Sequence, residues 1–191
     1  MSALVQPHEI HRLSIEEYHQ MIESGGLNET TRVELIDGLV VDMSPKSPQH
    51  ENAIDGLVDW LTGHLDLTRF KFRVASSLTL GNSEPEPDIA IIDRAPPTLA
   101  HPSHARLVIE VAVTSHDRDL RTKPKVYAPY VDEYWVVDLE RRRVVSHRNP
   151  VDGEYRDVSV AERGATIAPV ALELAPLDTD ELFATAFAER P

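Results

Sequence analysis

The chain has 191 residues, 41% of them hydrophobic, enough for one domain with a sizeable core. It contains no cysteine, which excludes disulfides, thiolate zinc sites and cysteine nucleophiles and fits a reducing cytoplasm. Its net charge of -13 argues against holding nucleic acid by overall charge alone.

The first ~10 residues read as a flexible lead-in. The opening MSALVQPHEIHRLS carries acid and histidine without an apolar core, unlike a signal peptide. Ser14-Ile-Glu-Glu17 is a capping box that predicts a short helix with Ile15, Tyr18 and Ile22 on its apolar side, ended by Gly25-Gly26. Arg32–Ile36 and Leu39–Met43 are strand-like and joined by Asp37-Gly38, a two-residue hairpin signal. After a Pro/Ser-rich loop, Ile54, Leu57, Val58, Leu61 and Leu65 recur at helical spacing, predicting the longest helix from Gln49 to about Leu67.

Phe70 to Leu80 predicts one long strand or two broken ones, and Asp88 to Ile92 the next. Asp93 to His104, with three prolines, is a loop. Leu107 to Val113 is continuously apolar apart from one acid, as a central strand would be. Arg118 to Tyr127 predicts a helix, with Pro124 best tolerated near its first turn. Glu133–Leu139 and Arg143–His147 form a hairpin, Tyr155–Val160 a further strand, and Asp178 to about Ala188 a terminal helix capped by Asp178 or Thr179. The order predicts a mixed α/β (α+β) domain, a sheet flanked by helices, spanning residues 1–191. No apolar run reaches membrane-spanning length, and no membrane partner is expected.

The phosphate-loop, dinucleotide, nucleophile-elbow and zinc-helix motifs GxxxxGK, GxGxxG, GxSxG and HExxH are all absent. The pairs His8/His11 and His101/His104 lie in irregular segments and read as surface histidines. The informative residues are Asp88 and Glu110, carboxylates set in two apolar strands, with Asp119, Lys123 and Tyr127 downstream. A buried carboxylate is costly unless neutralised. Two of them, plus the backbone carbonyl of Val111, are sufficient protein ligands for magnesium or manganese, which prefer oxygen and keep several waters. Lys123 would then orient a water or steady developing charge. The bland alternative is a turn aspartate and an arginine-paired glutamate. Glu34 is a third acid, weighed evenly against a solvated strand face. His50, at the start of the long helix, is a candidate contact to a phosphate or a water, and Arg121 and Lys125 are further candidate substrate contacts. Tyr127, Tyr134 and Trp135 read as core aromatics. Nine basic and seven acidic residues lie between Arg106 and Arg148, so this stretch is the least acidic of the chain.

In order, RVELIDGLVVDMSPKSPQH, EPEPDIAII, LVIEVAVTS, DLRTKPKVYA and VDEYWVVDL resemble the Uma2 family (DUF820) of bacterial restriction-endonuclease-like proteins, within the PD-(D/E)XK nuclease-like superfamily. The similarity runs from about Arg32 to Leu139, with a weaker echo in LDTDELF. It implies a restriction-endonuclease-like mixed sheet flanked by helices and a magnesium- or manganese-dependent endonuclease acting on DNA, often as a homodimer. By position, Asp88 matches the aspartate of the PD element and Glu110 the second acid. The superfamily usually places lysine two residues after that acid, where this chain has Ala112. Lys123 matches the lysine that the family carries on the following helix, and Glu34 the early acid that completes a metal shell. Two departures stand out: Pro124 directly follows the lysine, and Tyr130 replaces a common glycine. The rival expectations are a nuclease-like interaction module without turnover, and a phosphodiesterase for small substrates.

Overall fold

A computed structural model describes residues 10–27, 31–113 and 118–188. The capping box forms as the sequence predicts. Ser14 Oγ accepts from Glu17 N–H at 3.2 Å, Glu17 Oε2 accepts from Ser14 N–H at 2.8 Å, and helix α1 runs Ile15–Glu23. Strands β1 (Val33–Ile36) and β2 (Leu39–Asp42) pair across Asp37 and Gly38, both at positive φ, the tight turn that suits strand twist. A side chain at Gly38 would meet Arg12 Cβ and Asn82 Nδ2 at 2.7 Å, so only glycine lets this turn seat against the 80–83 turn. The hairpin is a sheet of its own, bridged to the body through Leu35 and Glu84.

The main sheet has six strands in the order β3 (Phe70–Val74), β4 (Ile89–Asp93), β5 (Ala105–Ala112), β6 (Val131–Asp138), β7 (Arg143–Val151) and β8 (Glu154–Glu162). All neighbours are antiparallel except β5 and β6, which are parallel. A parallel pair needs a crossover. Here it contains a π-helical turn, Arg118–Thr122, and the short helix α3, Lys123–Tyr127. Pro124 sits in the first turn of α3, where its missing N–H costs nothing. The sequence predicts one helix over this whole span; the π turn is the difference. Part of that crossover, with Thr114–Asp117, lies outside the described residues, as do His8 and the first nine residues expected to be flexible.

Helix α2 (Pro48–His64) covers one face of the sheet together with α4 (Thr179–Ala186), whose N-cap is Asp178. Leu107, Ile109 and Val111 of β5 point into that core, where Trp60 stacks on Trp135 with centroids 6.0 Å apart. The alternate residues Val108 and Ala112 join Tyr127, Tyr134, Val136, Leu78 and Leu80 on the opposite face. Strand β3 stops at Val74, short of the predicted Leu80, because Ala75 turns to φ 44. The chain then leaves the sheet and buries Leu78 and Leu80 over this second core. A further two-stranded ladder, β9 (Thr166–Ile167) with β10 (Leu177–Asp178), escapes the sequence reading because each strand is only two residues long.

His147 is buried on β7, stacked on Tyr134 at 5.5 Å, with its Nε2 lacking any partner. Burial pulls its pKa from 6.5 down to about 4. The native state therefore binds fewer protons than the unfolded chain across that window. Its contribution is full above the unfolded value and is lost as pH falls through the folded one. His147→Phe keeps the stack and should remove up to about 2 kcal/mol of the stability lost between neutral pH and pH 4, allowing for partial hydration of the ring. Urea midpoints across this range check it; equal slopes in both proteins would refute the assignment.

Candidate active site

The register of β4 on β5 pairs Ile89 with Ile109, Ala90 with Val108 and Ile91 with Leu107. Extended by one residue, it sets Asp88 across from Glu110. Both share the face of Ala90 and Val108, the face that α3 covers. The strands thus deliver the two acids side by side, where the hydrophobic alternation of each strand alone indicates only burial.

Asp88 is held by one oxygen. Its Oδ2 accepts Val111 N–H at 2.8 Å and contacts His50 Nε2 at 3.1 Å. His50 lies in the first turn of α2, its backbone N–H capped by Ser47 Oγ, and its Nδ1 is buried without a partner. A proton on Nδ1 would be an orphaned donor, so the ring proton belongs on Nε2 and is donated to Asp88. Glu110 is likewise held by one oxygen: Oε1 accepts from Lys123 Nζ at 2.7 Å and from Tyr127 OH at 2.8 Å. Lys123 opens α3 and Tyr127 closes it, so one turn of helix brings both donors to the same atom. The Lys123 ammonium also lies 3.3 Å from Glu34 Oε1 and 3.8 Å from Asp119 Oδ1. Glu34 is 2% exposed, so its strand face is buried rather than solvated.

Burial pushes Glu110 up to about 8; Lys123 opposes that shift, and Asp88, Asp119 and Glu34 add to it. For Lys123, burial is outweighed by Glu110, Glu34 and Asp119, and its pKa rises above the usual range. These two shifts pull against each other, since a neutral Glu110 would not hold Lys123 charged. Three carboxylates lie around the one ammonium, so Lys123 keeps its charge while burial and the acidic neighbours hold Glu110 above its ordinary value. Both donors to Glu110 occupy Oε1, so a proton on this residue sits on Oε2.

The sign for stability follows from the raised pKa. The contribution of Glu110 is full below its unfolded value of 4.5 and is lost as pH rises through about 8. Without divalent cation, Glu110→Gln, which retains an acceptor for Lys123 and Tyr127, should become progressively more stable than the wild type from pH 5 to pH 8.5. Thermal melts in chelator read this directly; a constant difference over that range would show that Glu110 is not the proton-holding acid.

Buried acids elsewhere in the sheet behave differently. Glu133 accepts Arg148 Nε and Trp135 Nε1 on one oxygen and the N–H groups of Val170 and Ala171 on the other. Asp138 is held by Arg141 and Arg143. Those acids are structural. Among the described residues, Asp88 Oδ1 and Glu110 Oε2 have no protein donor. Both residues line one cavity of about 50 Å³ with Glu34, His50, Asp119 and Lys123. That is several times the about 10–15 Å³ a single water centre requires.

Among the described residues, no group of three or more histidine or acidic side chains is arranged to hold a metal ion as it stands. The ammonium of Lys123 occupies the middle of the acids. Magnesium, however, is commonly bound by one or two carboxylates with the rest of its shell from water and substrate. Two unpartnered carboxylate oxygens on one small cavity, in a cluster with excess negative charge, fit that cation.

Of the other predicted residues, Val111 lines the cavity and gives its N–H to Asp88. Arg121 and Lys125 are exposed and do not line it; Arg32 and Lys46, not singled out from sequence, do. Tyr127 is core, but its hydroxyl also belongs to the site, which its spacing of four from Lys123 would have signalled. His101 and His104 serve different acids, Glu84 at 4.0 Å and Asp132 at 3.1 Å, and His11 lies 3.6 Å from Glu17.

The family model described as "Putative restriction endonuclease", Uma2, matches residues 15–179. The chain belongs to the Uma2 family. Among solved structures, it is similar to the crystal structure of "a putative nuclease belonging to DUF820" from Anabaena variabilis, with a TM-score of 0.73 and 16% identity over 91% of this chain and 99% of that one. At that identity the likeness speaks for the restriction-endonuclease-like fold. No protein of curated function matches the chain. This Uma2 chain has, among its described residues, no helix long and apolar enough to cross a membrane.

Proposed function

We propose that this chain is a cytoplasmic endonuclease that hydrolyses phosphodiester bonds of DNA with magnesium or manganese. The observation that carries the reading is the pair Asp88 and Glu110, opposite each other on one sheet face, each with a free oxygen, beside the buried ammonium of Lys123. Family membership supports the nuclease class.

In this reading Asp88 and Glu110 would hold the cation through the oxygens that no protein donor occupies, with Glu34 at the edge of the site and the Val111 carbonyl as a further ligand. A bound divalent cation would supply Lewis-acid activation of water and neutralise charge on the scissile phosphate. The protein's own groups do the positioning. His50 and the Val111 N–H fix Asp88 Oδ2 and so aim the free oxygen. Lys123, already pre-paid in desolvation, steadies negative charge developing on the phosphoryl oxygens. Arg32 and Lys46, on the cavity wall, are the basic groups best placed to receive a phosphate.

The acidic net charge leaves one rival worth testing, a phosphodiesterase for small substrates. Purified protein is expected to convert supercoiled plasmid to nicked circles with magnesium or manganese and not with chelator. Hydrolysis of a small model phosphodiester without nicking would favour the rival. No metal-dependent turnover of either substrate would overturn the enzyme reading in favour of an interaction module.

A further inference from the structure

Strand β8 ends the main sheet and, among the described residues, is paired on one side only, with β7. It is nine residues long, and Val158 and Val160 on one of its faces are 58% and 47% exposed. A long apolar edge is a template for strand pairing, and soluble proteins normally blunt it with like charges, proline, bulges or a covering element. The opposite edge is blunted in that way. Strand β3 has only five residues and carries Lys71 and Arg73, so two copies laid along it would repel.

β8 has the reverse pattern. On the face of Val158 the alternate residues are Glu154, Arg156, Val158, Val160 and Glu162, all exposed. Read in the opposite direction, the row from Arg156 to Glu162 is complementary to itself, with cation against anion and valine against valine. We propose that β8 is a dimerisation edge, pairing antiparallel with β8 of a second copy of this chain about a two-fold axis through Ser159. Arg156 of each copy then opposes Glu162 of the other, Val158 opposes Val160, and the two sheets become one. The register is specific. Centring on Val158 would oppose Glu154 to Glu162, and centring on Val160 would oppose Val158 to Glu162. The present partners of Arg156, Glu154 at 3.4 Å and Asp152 at 3.9 Å, are exposed and are given up at little cost. An interface of one strand pair is small, so dissociation is expected on the order of micromolar.

The chain has no cysteine, so Ser159→Cys provides a single thiol. Directly opposed antiparallel residues have Cα separations within the range a disulfide spans. Mild oxidation should therefore link Ser159→Cys into dimers, while Asp157→Cys, which faces Ala161 of the other copy, should remain largely monomeric. In sedimentation equilibrium, Arg156→Glu and Glu162→Arg should each weaken association about tenfold, because the axis counts every pair twice. The double exchange should restore it. A wild-type protein that is monomeric at about 100 µM overturns the proposal. So does a dimer indifferent to both exchanges and uncrosslinked through position 159. None of these outcomes depends on nuclease activity.

Discussion

Replacing Lys123 with methionine is expected to lower metal-free stability at pH 8 by about 3–5 kcal/mol, the cost of stripping the cation from a buried ion cluster. The ammonium is 5% exposed and lies within 4 Å of Glu34, Glu110 and Asp119. Methionine preserves most of the volume, so a cavity is not the cause. The sign of the pH dependence separates charge from packing. Glu110, already raised to about 8 with Lys123 present, takes up a proton more readily without it, so acidification relieves the repulsion. The deficit should therefore shrink toward pH 5, whereas a packing defect would persist. Divalent cation should also recover part of the loss, since it can supply the missing positive charge to the same acids. Urea unfolding at both pH values, with and without magnesium, measures all three effects. A deficit below about 1 kcal/mol at pH 8 would mean that the acids are neutral in the native protein and that Lys123 is not their counter-ion.

Much of this arrangement is legible in the chain itself because the strands are regular. Asp88 and Glu110 are conspicuous as acids in apolar runs, and the burial of Leu107 to Ala112 on both faces follows from the absence of alternation. Their meeting is a matter of register. The pairing of Ile89 with Ile109 puts them opposite each other, and nothing local to either strand encodes that. The same holds for His50: a helix N-terminus announces itself through Ser47 and Pro48, but its contact with Asp88 depends on how α2 lies across the sheet. The exposed basic residues beside Lys123 show a second limit. Arg121 and Lys125 are near it in sequence, yet a helix turns neighbours at i±2 away from each other, and Arg32 and Lys46 from distant segments reach the cavity instead. Ala75 shows a third limit. Apolar and β-prone residues continue to Leu80, but one left-handed residue ends β3 and diverts them to the second core.

Asp88→Asn is the substitution expected to affect turnover most. Asparagine is nearly isosteric and its carbonyl can still accept the Val111 N–H, so the local β4–β5 geometry should survive with a stability change of about 1 kcal/mol or less. Asp88→Ala would be a poorer test, because it orphans that N–H as well. What asparagine removes is the negative charge and the anionic character of the oxygen facing the cavity, the properties a hard cation requires. Plasmid nicking should fall by about 10²–10³-fold or more. The magnesium-induced rise in melting temperature, which reports binding independently of turnover, should disappear over the same concentration range. The two readouts must move together if Asp88 holds the cation. Lost nicking with an unchanged magnesium shift would assign Asp88 to the substrate instead. Retention of nicking within a few-fold would remove it from the site, and with it the argument that its free oxygen and that of Glu110 define one cation position.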